Sequence, residues 1–162
     1  MKPEFLQPND KIAIVAPSGR IFPNEIEDGL KLIKTWGLVP VLGKNLFQDH
    51  YNGYHFAGTD ERRTEDFQNA LDNNEIKAIW CARGGYGAVK LLDNLNWNKF
   101  LKNPKWIVGY SDITAIHNHL NNLGIETIHG ITCKKLNTEY NEQTFLTLEK
   151  ALLGKNLNYE IP

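Results

Sequence analysis

The chain has 162 residues, 41% of them hydrophobic and 23% charged, with a formal net charge of −1. That supports one domain with its own core, burying roughly 70% of the surface that the unfolded chain exposes. The balanced charge gives no electrostatic ground for nucleic acid or an anionic membrane as partner. The two cysteines, Cys81 and Cys133, fit neither a disulfide framework nor a zinc motif, so reduced thiols are expected.

The first apolar run, "KIAIVAP" at 11–17, is continuous and rich in β-branched residues, the pattern of a strand buried on both faces. It is too short for a signal-peptide core or a membrane span, and the cytoplasm is the expected location. In "PNEIEDGLKLIKTWG" (23–37), Ile26, Leu30 and Ile33 recur at helical spacing, Pro23 suits a first turn and Gly37 a C-terminal cap. "LVPVLG" (38–43) reads as a second, weaker strand. Thr59 is placed to cap a helix in "GTDERRTEDFQNALDN" (58–73), with Phe67, Ala70 and Leu71 facing the core.

"IKAIWCA" (76–82) predicts a third strand and "GAVKLLDNL" (87–95) a short helix. "KWIVGY" (105–110) predicts a fourth strand, "DITAIHNHLNNLG" (112–124) a helix and "IETIHG" (125–130) a fifth strand. "EQTFLTLEKALLG" (142–154) predicts a last helix before a polar tail. Alternating strands and helices imply an α/β fold. The expectation is a flavodoxin-like three-layer sandwich, with a mainly parallel sheet of about five strands and helices on both faces.

Ligands of such sheets sit beyond the carboxyl ends of the strands. The segments there are "PSGR", "RGGYG", "YSD" and "HGIT". In "VGYSDI" a strand passes straight into a helical pattern, so Ser111 stands on a sharp turn with a helix N-terminus behind it. That setting exposes a hydroxyl beside backbone N–H groups able to hold an oxyanion, but Ser111 or Asp112 capping the helix fits equally. The paired glycines in "RGGYG" leave N–H groups uncovered, with a tight turn as the plainer role. That segment lacks both the Walker lysine and the dinucleotide-binding spacing, and no cofactor or metal is expected. Arg83 could take a carboxylate bidentately or simply be solvated. A nucleophilic serine needs a base. His117 lies six residues on, about 240° round a helix, and points elsewhere, as does His119. By position His129, at the end of the fifth strand, is the only candidate base; a structural role stays open.

Taken together, "KIAIVAPSG", "FAGTDERRTEDFQNAL", "IKAIWCARGGYGAVKLLD" and "NPKWIVGYSDITAIHNHL" followed by "HG" resemble the N-terminal domain of the LD-carboxypeptidases. These are the muramoyltetrapeptide carboxypeptidases, with the microcin-C self-immunity peptidases as relatives. The resemblance runs in order through about residues 11 to 130. It implies a cytoplasmic serine peptidase that removes the terminal D-alanine from murein tetrapeptide in cell-wall recycling. Ser111 would be the nucleophile. The N–H groups of Asp112 and Gly85, with Gly84 as second choice, would form the oxyanion hole. Ser18, Gly19, Arg83, Tyr86, Tyr110 and His129 are expected at the substrate.

The family's triad is Ser-His-Glu, and its Glu and His lie in a separate C-terminal domain that nothing here matches. The resemblance thus divides the chain into a nucleophile-bearing domain, 1–135, and a terminal helix with an inter-domain connection, 136–162. The C-terminal domain becomes an expected partner, and the chain alone is expected to be inactive. A homodimer through the face left uncovered stays open. Ile131 stands where the family commonly has proline. A peptidase acting on peptidyl nucleotides, or a non-catalytic flavodoxin-like binding domain, are the alternative readings.

Overall fold

The computed structural model describes residues 1–134 and 142–158. Its central sheet has five parallel strands: β1 (Lys11–Val15), β2 (Val39–Leu42), β5 (Ile76–Cys81), β6 (Trp106–Gly109) and β7 (Ile128–His129). Their order is β2-β1-β5-β6-β7. The chain steps outward from β1 to β2, then returns past β1 to continue on its other side. The direction of winding therefore reverses between β1 and β5, the switch point at which such sheets form their ligand crevice. The α/β architecture is the one expected.

Period-2 alternation explains how the sheet is covered. Ile12, Ile14, Trp80, Trp106 and Val108 face one side. They meet Ile26 at the N-cap of α1 (Glu27–Thr35) and Ile33 within it, and Leu148 and Leu152 of α5 (Glu142–Leu152). Ala13, Val15, Ile79, Cys81 and Ile107 face the other side. They pack on Phe67 and Leu71 of α2 (Asp60–Asp72) and on Ile116 and Leu120 of α4 (Thr114–Asn122). Full burial of such a side chain contributes about 1.5–3 kcal/mol. Trp80 stacks on Trp36 with ring centroids 5.6 Å apart and donates Nε1–H to the Ile131 carbonyl at 2.7 Å. Gly29 in α1 lies so close to the 131–133 segment that a side chain there would collide with Cys133 Sγ.

Cap signals in the sequence are used as read. The Thr59 hydroxyl accepts from the Arg62 amide, and Gly37 and Gly124 close their helices at φ +76°. The fifth strand is shorter than expected. Ile125 returns its N–H to the Leu120 carbonyl to finish α4, and Glu126 bonds Met1, leaving only Ile128–His129 to pair with β6. Residues Ala88–Asn94 form 3₁₀ turns in place of an α-helix. Two elements lie outside the expected set: a hairpin of β3 (His50–Tyr51) and β4 (His55–Phe56), and α3 (Asn98–Lys102). The expected 135/136 domain boundary lies outside the described residues. Leu148 and Leu152 beyond it belong to the same core as the sheet, and Leu152 accepts from the Leu6 amide.

Candidate active site

The loops after β1, β5 and β6 meet at the crevice. Tyr110 leaves β6 in extended backbone, and Ser111 then turns to φ +61°. A non-glycine residue in that left-handed region costs on the order of 1–2 kcal/mol. A 3₁₀ turn, Ser111–Ile113, follows at once and runs into α4. Ser111 is exposed, and among the described residues no side chain hydrogen-bonds its hydroxyl. The positions preceding the 3₁₀ turn and α4 carry no side-chain cap hydrogen bond, so Ser111 does not serve as a cap. Strain that presents a hydroxyl at a strand-to-helix bend is the arrangement of a nucleophile elbow.

Gly84 packs directly against it. A Cβ on Gly84 would stand 3.2 Å from Ser111 Cβ and 3.5 Å from Oγ. Gly85, at φ +120°, lies one residue further along beside the Tyr54 hydroxyl and Gly19. The "RGG" turn and the serine are therefore neighbours. Of its two glycines, Gly84 is the one touching Ser111. Tyr54 comes from the hairpin turn, which the Asn52-Gly53 pair marks in the sequence.

The other expected site residues divide into two groups. Ser18 is fully buried and donates its hydroxyl to Asp112 Oδ2 at 2.6 Å. Gly19 donates its N–H to the Gly84 carbonyl at 3.2 Å. Arg83 is half-buried and donates to the Arg20 carbonyl at 2.8 Å. These three hold the loops together. Tyr86, Tyr110 and His129 are exposed around the same rim. His129 pairs with Gly109 in the sheet register, its ring 5.8 Å from that of His117.

His117 is 5% exposed, and its Nε2 bonds the Gly109 carbonyl at 2.9 Å. Burial pushes its pKa down, opposed by that carbonyl. A neutral ring with Nε2–H donating matches this setting. It pins the end of β6 through Gly109 and makes no hydrogen bond with Ser111. His119 lies against Trp97, ring centroids 4.9 Å apart. Sequence reasoning missed Arg63. It is 2% exposed and donates from Nη1 to the carbonyls of Pro17 and Gly87 and from Nη2 to Asp60. Its signal was a charge on the stripe of Phe67, Ala70 and Leu71.

An exposed serine on a strained bend, with a glycine backbone against it and a helix start behind it, can attack a carbonyl and hold the resulting oxyanion. Residues 12–130 match the family described as the LD-carboxypeptidase N-terminal domain. A putative carboxypeptidase of Streptomyces coelicolor is 38% identical over 132 residues, 80% of this chain and 43% of that protein. A murein tetrapeptide carboxypeptidase of Pseudomonas aeruginosa is 36% identical over 126 residues, 76% of this chain and 40% of that protein. The chain thus spans about two fifths of these relatives' lengths.

Among solved structures, the microcin C7 self-immunity protein MccF in complex with aspartyl sulfamoyl adenosine superposes with a TM-score of 0.86 at 24% identity. That match covers 99% of this chain and 50% of that one. The muramoyltetrapeptide carboxypeptidase from Oxalobacter formigenes gives 0.75, at 24% identity, over 87% of this chain and 47% of that one. At such identity these two show the fold alone. With three quarters of its length matched in order and the site's loops all inside that match, the chain belongs to the LD-carboxypeptidase family, in which it corresponds to the N-terminal domain.

Proposed function

We propose that this chain is the nucleophile-bearing part of a serine carboxypeptidase that releases the terminal D-alanine of murein tetrapeptide. The single observation that carries the reading is Ser111, exposed at φ +61° with Gly84 packed against its side chain. Ser111 Oγ attacks the carbonyl carbon of the last amide, and its proton passes to a general base. The oxyanion is held by N–H groups of Asp112 and of the 84–85 turn. The C–N bond breaks and D-alanine leaves after taking up a proton. Water then cleaves the acyl-serine ester, restoring the hydroxyl and freeing the shortened peptide.

His117 is committed to Gly109, His119 lies against Trp97, and among the described residues His129 makes no hydrogen bond with Ser111, its ring lying instead 5.8 Å from that of His117. The general base is therefore assigned to the C-terminal portion of the longer relatives' architecture, as are the missing wall of the cleft and part of the substrate's recognition. In this reading the 162 residues alone turn over substrate negligibly, and joining them to that portion restores activity. No membrane or nucleic-acid partner is required, and the work is assigned to the cytoplasm. Tyr86, Tyr110 and His129 are the exposed side chains offered to the peptide.

Greater similarity to the Pseudomonas murein enzyme (36%) than to the MccF sequence (30% over 101 residues) favours murein peptide over a peptidyl nucleotide. The test uses the full-length protein. D-alanine release from a tetrapeptide should exceed turnover of an aminoacyl-sulfamoyl adenylate. A serine-directed phosphonate should add its mass to Ser111, and Ser111→Ala should abolish release with the fold unchanged. Release that survives Ser111→Ala refutes the assignment.

A further inference from the structure

Residues 17–18 and 87–88 are each held twice, from two sides. On one side Arg63 of α2 donates through Nη1 to the carbonyls of Pro17 and Gly87, the latter at 3.1 Å. On the other, Asp112 Oδ2 accepts from the hydroxyl of Ser18 at 2.6 Å and the amide of Ala88 at 2.8 Å. Between these grips, Gly19 N–H bonds the Gly84 carbonyl. The guanidinium and the carboxylate thus grasp adjacent residues of the same two loops. Donors meet acceptors throughout, and each bond to Arg63 or Asp112 has a charged partner, which makes it stronger than a neutral one. Gly87, at φ +120°, has no room for a side chain: its Cβ would stand 2.8 Å from Arg63 Nη1 and 3.0 Å from the Phe56 ring.

The grip reaches the site at both of its ends. Asp112 follows Ser111 directly, so its carboxylate fixes the residue whose own N–H is assigned above to the oxyanion. Ala88 and Gly87 end the turn that carries Gly84 against Ser111. We propose that Arg63 and the Asp112 side chain are positioning residues. Together they clamp the β1 and β5 loops so that the glycine turn stays docked on Ser111 and the oxyanion donors keep their spacing. The proposal rests on Ser111 as nucleophile for its catalytic consequence, but not for its structural one.

The test separates those two. Amide hydrogen exchange is measured by NMR in the 162-residue chain carrying Asp112→Ala, Asp112→Asn or Arg63→Lys. Ala88 and Gly19 should exchange about tenfold faster in Asp112→Ala and Arg63→Lys, the loss of one bond to a charged group. Ile79 and Ile107 in the sheet should keep their rates. Asp112→Asn, whose carbonyl can still accept, should lie between. In the full-length protein, Asp112→Ala should lower kcat for D-alanine release about 10²-fold with KM within twofold, as expected for misplaced groups that act in the transition state.

Unchanged exchange at Ala88 and Gly19 in Asp112→Ala and Arg63→Lys overturns the clamp. Faster exchange with kcat intact also overturns it, since the contacts would then be merely structural. If Asp112→Ala loosens the strands as well, Asp112→Asn and Arg63→Lys decide by the same criteria. Activity that survives Ser111→Ala sinks the nucleophile reading and leaves the exchange result standing.

Discussion

Replacing Ser111 by glycine should stabilise this protein relative to replacing it by alanine. Both changes delete the hydroxyl, and they differ only in what the backbone at φ +61° costs. Alanine keeps a Cβ in the left-handed region, a cost of about 1–2 kcal/mol. Glycine removes that cost but gives back about 0.5–1 kcal/mol through its extra freedom in the unfolded chain. The net advantage of glycine is then roughly 0.5–1 kcal/mol. In a domain of this size that raises the melting temperature by about 1–4 °C. The assay is paired thermal and urea unfolding of the two variants, followed by circular dichroism, and it needs no substrate. The same pair at Lys31, an exposed position in α1, is the control. There glycine should be the worse residue by about 1 kcal/mol. If Ser111→Gly is less stable than Ser111→Ala, as at Lys31, Ser111 is not strained and does not stand on an elbow.

Lys105 is 3% exposed, and its ammonium donates to the carbonyls of Ala70 and Asn73 at the end of α2. Burial lowers its pKa to about 8. The unfolded chain then binds more protons than the folded one between about pH 8 and 10.5. The unfolding free energy of the native protein minus that of Lys105→Met should therefore rise with pH across that window, with a slope of up to about 1.4 kcal/mol per unit. A flat difference refutes it. Cys81 and Cys133 are fully buried, and burial pushes both thiols up, Cys133 to about 12. Ellman's reagent should find neither until urea unfolds the chain, and reductant should leave the melting temperature unchanged. Trp80→Phe removes the donor to Ile131 and part of the stack on Trp36. It should cost about 2–3 kcal/mol in urea unfolding, with a loss well under 1 kcal/mol counting against the bond.

Much of the sheet was readable because buried parallel strands leave unbroken apolar runs. Ile12 to Ala16 and Ala78 to Ala82 are such runs, buried throughout. The short β7 was overread because Ile125 is apolar for another reason: it packs where α4 closes. The hairpin at 50–56 was missed although Asn52-Gly53 announces its turn. Its strands are two residues each, too brief to show alternation. At the site, Ser111 and the glycine pair stood out because strained backbone and missing side chains leave marks on local sequence. The role of Ser18 left none, since it depends on a partner 94 residues away. Arg63 left half a mark, a charge on an apolar stripe whose meaning only the facing carbonyls supply.

Gly29 lies far along the chain from Ser111, yet its bare backbone is seated on Cys133. A few residues before that cysteine come His129 and Gly130, at the rim of the crevice, and Gly130 is bonded back to Gly109. An added methyl at position 29 must shove the whole 128–133 strip sideways or tilt the helix. If the proposed peptidase reading holds, selection on turnover would thus be felt at a helical position far from Ser111 in the chain. A saturation screen should find Gly29 as intolerant as many residues lining the cleft.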